Sequence, residues 1–202
     1  MVKSFLFFAM GCILYASCKQ AKAGKGRILF IPHNSKVIQV KLVDTLGSIM
    51  LAVPVSLDTS WTWMELSDCG LPCDQQKYRF QSHDSAEKFT ISHSEYYPFS
   101  DGDTSNNTMR HLRQRADLVM DSTNPPIVFD TIEKIADRYY SIFEMERIDT
   151  LLFKRVLATT TIKGNTIRFQ YDLSTKRGDS VGRNFMKNCL DLIRTIQIAK
   201  GI

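Results

Sequence analysis

The stretch FKRVLATTTIKGNTIRFQYDL, residues 153–173, decides the fold of this chain. It contains two runs, 153–163 and 165–173, that are rich in threonine, β-branched and aromatic residues, and Gly164 joins them. Residues of these types favour β-strands, and a glycine supplies the positive φ that a tight hairpin turn needs. The sequence therefore predicts an antiparallel hairpin over this stretch.

Other stretches of the chain extend the predicted sheet. The apolar run at 47–55 predicts a strand whose end is marked by Pro54 and which leads into an irregular turn. Residues 77–82 and 88–94 alternate apolar and polar side chains, which is typical of half-buried strands. Residues 136–146 fit both helical and extended periodicity, and we predict a strand there.

Two segments have the spacing of amphipathic helices. The first, at 108–121, places apolar side chains along one side, at Met109, Leu112, Ala116 and Val119. Its basic cluster is interpreted as a solvated face and consists of Arg110, His111, Arg113 and Arg115. The second, at 180–199, predicts a long C-terminal helix that packs on the sheet through Val181, Phe185, Cys189, Leu192, Ile193 and Ile196.

These elements together predict the fold class. Consecutive antiparallel strands whose faces are covered by helices form a layered α+β fold. We therefore predict an antiparallel β-sheet packed between helices, with a long C-terminal helix, as a single domain over residues 27–202.

The N-terminus has the layout of an export signal. Lys3 precedes an apolar run at 5–16 that is too short to span a bilayer as a helix. The run ends in Ala16, Ser17 and Cys18, which resemble the lipobox of bacterial lipoproteins. We predict a lipoprotein signal peptide over 1–18, with Cys18 as the first mature residue and the site of lipidation.

The residues after the signal predict how the protein is held. Residues 19–26 would be a tether, and the acyl chains on Cys18 would anchor it in a membrane through burial of hydrocarbon. Lys19 lacks the acidic signal that keeps some lipoproteins at the inner membrane, so we expect outer-membrane attachment facing the periplasm. The alternative is ordinary signal-peptidase cleavage at the A-x-A pattern of residues 21–23, which would release a soluble secreted or periplasmic protein.

The charge distribution excludes a nucleic-acid-binding domain. The chain has 26 Lys and Arg against 21 Asp and Glu, a formal charge of +5. Four of the bases and none of the acids lie in the first 25 residues, so the remainder is nearly neutral. A nucleic-acid interface requires a basic stripe on one face, and the sequence does not provide one.

Two cysteines lie close together in the sequence, and they favour a structural disulfide while leaving a metal-binding or thiol-exchange site as an alternative. The turn CGLPC can bring the sulfurs of Cys69 and Cys73 within bonding reach, so we predict a disulfide in an oxidising compartment. The alternative is a copper-binding or thiol-exchange site in which the two thiolates act with a distant histidine. His83 and His93 would be the first ligands to test.

The sequence favours binding over catalysis. No H-E-x-x-H motif and no glycine-rich phosphate loop is present, and we predict neither an enzyme nor a cofactor. Aromatic residues supply contact area at low entropic cost, so a protein partner surface is the functional interpretation of Trp61, Trp63, Tyr96 and Tyr97.

The order of motifs resembles the PsbP-like group. The resemblance rests on GSIMLAVPVSLD at 47–58, KYRFQS at 77–82, KFTIS at 88–92 and TIKGNTIRFQYDL at 161–173. The CGLPC insertion departs from that layout. The resemblance implies an antiparallel sheet between helices and an accessory or binding role.

We therefore predict an exported, membrane-tethered lipoprotein of the cell envelope that acts as a non-catalytic binding or accessory module for a protein partner. Two alternatives stay open. One is a thiol- or copper-handling protein that uses Cys69 and Cys73. The other is an immunity or inhibitor lipoprotein that blocks a toxin or a lytic enzyme.

Overall fold

The computed structural model describes residues 31–42, 46–66, 74–94 and 104–199. The predicted signal peptide, Cys18 and the tether lie outside these residues. Those three predictions, and the domain boundary at residue 27, stay predictions.

The described residues form ten strands and two helices. They are β1 (Ser35–Lys41), β2 (Ser48–Pro54), β3 (Leu57–Glu65), β4 (Gln75–Ser82), β5 (Glu87–Ser94), α1 (Thr104–Met120), β6 (Ile127–Ile135), β7 (Arg138–Ile148), β8 (Leu151–Ile162), β9 (Asn165–Lys176), α2 (Ser180–Ile193) and β10 (Gln197–Ala199). A seven-stranded sheet has the order β3-β4-β5-β9-β8-β7-β6, and a three-stranded sheet has the order β1-β2-β10. All of these neighbours pair antiparallel.

The hairpin predicted over 153–173 is confirmed as β8 and β9. These two long strands pair without a register shift from Leu151 opposite Lys176 to Ile162 opposite Asn165. The turn has φ of 48° at Lys163 and 82° at Gly164, the two positive values of a type I′ turn. This pair lies between β5 and β7 near the middle of the large sheet, so the rest of the sheet is built around it.

One face of the large sheet, which we call the α2 face, carries the main hydrophobic core. Alternate side chains of the central strands point to it and are fully buried, among them Phe89, Ile91, Ile142 and Phe169. Helix α2 and the small sheet cover this face, and α2 packs on β8, β9 and β2. Asp179 caps α2 by accepting from the Val181 N–H at 3.1 Å, and that hydrogen bond holds the pKa of its carboxyl below the usual range.

The C-terminal helix is shorter than predicted. Helix α2 ends at Ile193 after 14 residues, and residues 197–199 form β10 on the edge of the small sheet. The chain turns at Thr195, whose hydroxyl donates to the Leu192 carbonyl at 2.6 Å and accepts from the Ala52 N–H at 2.8 Å. The apolar spacing of Ile196 and Ile198 continues past this turn, which is why helical periodicity alone placed the helix end too late.

Helix α1 covers the opposite face, which we call the α1 face, and packs on β6 and β7 with its polar side inward. Arg110 is 1% exposed, and its guanidinium donates to the Thr161 hydroxyl and the Tyr139 carbonyl, each at 3.2 Å. Gln114 is also buried and accepts from the Thr159 hydroxyl at 2.6 Å. The interpretation of the whole basic cluster as a solvated face is therefore wrong.

A second contact ties α1 to strand β6. Arg115 donates to Asp130 at 2.8 Å, and this bond holds the pKa of the Asp130 carboxyl below its usual range. His111 Nε2 lies 3.4 Å from the same carboxylate, and the imidazole stacks on Phe143 with ring centroids 4.7 Å apart. Of the basic cluster, Arg113 and Arg115 are exposed as predicted, and His111 is buried.

Besides β10, three strands have no counterpart in the sequence-based prediction. Strands β3 and β6 show little of the in-out burial alternation on which periodicity depends, and eight of the nine residues of β3 are not buried. In β1 burial does alternate from Val37 to Lys41, but the exposed Val37 is itself apolar, so the residue types do not show the alternation. The predicted strand at 136–146 is present as β7 but begins at Arg138, because Ala136 lies in the preceding turn with φ of 55°. The strands predicted near 47–55, 77–82 and 88–94 are confirmed as β2, β4 and β5.

The described fold consists mostly of antiparallel sheet with two helices. The α+β class predicted from the sequence is therefore only partly matched, because the sheet contributes much more of the structure than the helices. The large sheet does lie between the two described helices, as expected. In the described part of the chain, neither helix combines the length and hydrophobicity needed to cross a bilayer.

Candidate functional site

The clearest candidate site is an exposed aromatic and cationic cluster on β3 and β4, which we call the tryptophan surface: Trp61, Trp63, Lys77 and Arg79. Residues 61 and 63 share the α1 face of β3, and their rings stack with centroids 6.4 Å apart. Strand pairing places Arg79 opposite Trp61 and Lys77 opposite Trp63. The Arg79 guanidinium carbon lies 5.0 Å from the Trp63 ring and 5.8 Å from the Trp61 ring, within the range of cation–π attraction.

The tryptophan surface lies at the edge of the large sheet. Strand β3 is the terminal strand of the order, so within the described sheet its outer edge has no neighbour. Trp61 is 40% exposed and Trp63 is partly buried. Trp and Arg are among the residues most enriched in binding hot spots.

The charge of the surrounding face is positive. Lys77 forms an ion pair with Glu65, whereas Arg79 donates from Nε to the Thr90 hydroxyl at 3.3 Å and has no described carboxylate at ion-pair distance. The register also places Lys88 and Arg168 on this face. The uncovered half of the α1 face is therefore complementary to an acidic partner.

A polar recess of about 220 Å³ continues this face under the C-terminal half of α1. Arg155 crosses its floor, donating to Asp172 at 2.7 Å and to Asn124 at 3.0 Å. The side-chain N–H groups of buried Gln114 have no hydrogen-bond partner among the described residues. The recess therefore contains a hydrogen-bond donor, the Gln114 amide, that no described residue satisfies.

The outward side of α1 is a second exposed feature, and it is the apolar side of the helix. A solvated basic face would turn these apolar side chains toward the core, but they point to solvent, with Leu112 54% and Val119 63% exposed. Met109 and Met120 are exposed as well. The sequence shows the apolar stripe as apolar residues at helical spacing. Whether this stripe faces the sheet or the solvent depends on the polar groups of the sheet beneath α1.

The residues proposed for metal or thiol chemistry are only partly described. His83 lies exposed in the turn before β5, and His93 lies buried near the other end of that strand. The structure therefore does not bring the two imidazoles together, and no group of three metal-ligating side chains occurs in the described ranges. Cys69 and Cys73 lie outside those ranges, so the disulfide and the thiol site stay predictions. Tyr96 and Tyr97 lie outside them as well.

One sequence motif was overlooked in the prediction of a non-enzyme. Residues 178–182, GDSVG, match the G-x-S-x-G pattern of serine hydrolases. In that pattern the serine sits on a strained turn and is activated by a histidine. Here the positive φ, 88°, belongs to Gly178, while Ser180 begins α2 and hydrogen-bonds to the capping Asp179. The described geometry is that of a helix start.

Comparisons with known proteins agree with this architecture at the level of the fold. The solution structure of cyanobacterial PsbP (CyanoP) from Synechocystis sp. PCC 6803 superposes with a TM-score of 0.52 at 14% sequence identity. The match covers 89% of this chain and 99% of that one. The chain has a PsbP-like fold. This confirms the architecture that the sequence resemblance implied.

Two other solved structures are similar to this chain with TM-scores below 0.5. The Ran-binding protein Mog1p of Saccharomyces cerevisiae matches with a TM-score of 0.45 and 9% identity, over 82% of this chain and 97% of that one. A protein from Bacteroides thetaiotaomicron matches with a TM-score of 0.39 and 13% identity, over 75% of this chain and 45% of that one. No family model and no curated protein sequence matches the chain.

Proposed function

We propose that this protein is a non-catalytic binding module that is exported, tethered to the cell envelope through Cys18, and docks a protein partner on the tryptophan surface. The stacked Trp61, Trp63 and Arg79 cluster is the observation that carries the binding role. The similarity of fold to cyanobacterial PsbP (CyanoP) supports it, because the resemblance to the PsbP-like group implies an accessory or binding role. The positive face around Arg79 favours an acidic partner.

Tethering and docking support each other physically. A lipid anchor confines the protein to a surface and raises its effective concentration toward partners at the same membrane. A modest interface of a few hot spots is then sufficient for stable association. The exposed apolar stripe of α1 is a second place on which such a partner can rest.

The anchor is tested by mass spectrometry of the mature N-terminus. We expect the protein isolated from its producing cells to begin at Cys18 and to carry acyl chains, and the Cys18→Ala variant to lack them and to leave the membrane fraction. A chain that retains Met1, or one cleaved after Ala23 without acylation, would contradict the anchor and leave the binding surface unaffected.

The partner surface is tested by photo-cross-linking in the producing cells. A cross-linking residue at Thr59, which shares the face of Trp61, is expected to give one discrete adduct. The same residue at Thr150, in the exposed turn after β7, is the matched control and is expected to give none. If the cross-linking residue gives an adduct at Leu112 and not at Thr59, the partner binds to the outer side of α1. No discrete adduct from Thr59 would reject the tryptophan surface as the docking site.

A further inference from the structure

We propose that the pocket between α2, the β1–β2 hairpin end and the large sheet binds a small uncharged ligand, largely apolar, with one hydroxyl or carbonyl group that hydrogen-bonds to Tyr171. The pocket has a volume of about 600 Å³, which is within the range of sites for drug-sized molecules. It lies on the α2 face, so it is separate from the tryptophan surface on the other side of the sheet. The inference does not depend on the proposed partner.

The buried hydroxyl of Tyr171 is the first observation. Tyr171 lines the pocket and is 3% exposed, yet its hydroxyl has no hydrogen-bond partner among the described residues. A buried polar group without a partner is costly, so native proteins rarely keep one without a function. Burial also raises the pKa of Tyr171 well above its usual range, so the group stays protonated and can donate to a ligand oxygen.

Part of the pocket wall is apolar, and polar residues such as Asn34 and Asn188 complete it. Phe185, Leu192 and the Cys189 thiol contribute from α2, and Leu57 contributes from the start of β3. The Tyr171 ring is fixed from the other side by Phe89, with ring centroids 4.2 Å apart. These surfaces suit a ring-shaped hydrocarbon body, whose burial would supply most of the binding energy.

The mouth of the pocket selects against anions. The Glu87 carboxylate lines it and accepts from the Ser56 hydroxyl at 2.9 Å, and no described cation pairs with it. Two lysines also line the pocket: the Lys187 ammonium is paired with Asp191 at 2.8 Å, and strand alternation directs the Lys88 side chain to the α1 face. A ligand carboxylate would therefore meet an uncompensated negative charge, while a neutral ligand would not.

Two apolar side chains at the rim are already exposed. Val55 is 53% exposed at the turn after β2, and Val181 is 48% exposed in the first turn of α2. Both lie where a ligand would enter, and their methyl groups are convenient probes of occupancy by NMR.

Naphthol, naphthalene and naphthoate form a matched set of probes for the test. They share one ring system and differ in having a hydroxyl, no polar group or a carboxylate. Titrated into the isolated protein, naphthol is expected to shift the methyl resonances of Val55 and Val181. We expect naphthol to bind about fivefold to tenfold more tightly than naphthalene, which is the value of one buried hydrogen bond, and naphthoate to bind more weakly than naphthol.

The Tyr171→Phe variant separates the hydrogen bond from packing. It keeps the aromatic ring, so the fold is preserved, and it is expected to reduce naphthol affinity to that of naphthalene while naphthalene affinity is unchanged. Tyr140→Phe, at a buried tyrosine of the α2 face outside the pocket lining, is the control and should change neither affinity. The proposal fails if naphthol leaves both valine resonances unmoved, if Tyr171→Phe binds naphthol as tightly as the unaltered protein, or if naphthoate is the tightest probe.

Discussion

Replacing Phe89 with alanine is expected to lower the free energy of unfolding by about 3–5 kcal/mol. Phe89 is 0% exposed in β5, and its ring stacks between Tyr171 at 4.2 Å and Phe80 at 5.9 Å. The three residues are direct cross-strand partners across β4, β5 and β9. Truncation would remove buried area and leave a cavity that the rigid sheet cannot close. Equilibrium unfolding in urea, followed by circular dichroism, measures the change.

The matched control is Phe129→Ala, because Phe129 is 48% exposed on β6 at the far edge of the same sheet. Its loss is expected to cost less than about 1 kcal/mol. A Phe89 variant that unfolds at nearly the same urea concentration as the Phe129 variant would show that the three-ring stack is not a centre of stability.

Trp61→Ala and Trp63→Ala are each expected to weaken partner binding by about 30-fold, which corresponds to about 2 kcal/mol at a hot spot. Each ring supports the other and also positions Arg79, whose guanidinium lies against both. Because the residues act as a unit, the double variant should lose less than the sum of the two single losses. The measurement is calorimetric titration with the partner identified from the Thr59 adduct, since the chain contains only two tryptophans and loses its fluorescence signal with them.

Met64→Ala is the control for these variants. Met64 is 49% exposed on the same edge strand, but strand alternation places it on the opposite face from the two tryptophans. It should leave partner affinity unchanged. A Met64 effect as large as that of Trp61 would indicate that the partner pairs with the edge of β3 and does not rest on its aromatic face.

The strands that could be predicted are those rich in apolar, β-branched and aromatic residues and those in which apolar and polar side chains alternate. Strands β8 and β9 combine β-branched residues with a glycine turn, so both their existence and their pairing followed from local chemistry. Strand β3 could not be predicted, because at this edge of the sheet most of its residues are exposed on both faces. Its two tryptophans were recognised as candidate contacts, but the sequence did not show that Arg79 would lie against them.

The candidate ligand pocket illustrates a different limit. Tyr171 reads in the sequence as an ordinary core residue of a strand, and it is one. The pairing of β5 with β9 places its unpartnered hydroxyl and the Glu87 carboxylate on the same face, and the packing of α2 and the small sheet on the large sheet forms the pocket around them. No local sequence pattern predicts that the Tyr171 hydroxyl and the Glu87 carboxylate line the same pocket.

The amino-acid sequence by itself determined the central hairpin, the type of most elements and the resemblance to PsbP-like proteins, because these depend on backbone preferences and on side-chain periodicity over a few residues. Only the tertiary structure decided which side of α1 faces inward. The threonine hydroxyls and the carbonyl beneath α1 require buried hydrogen-bond partners, and Arg110 and Gln114 supply them. Because the polar side of the helix forms these hydrogen bonds, its apolar side faces solvent. The orientation of α1 therefore depends on residues that are distant from it in the chain.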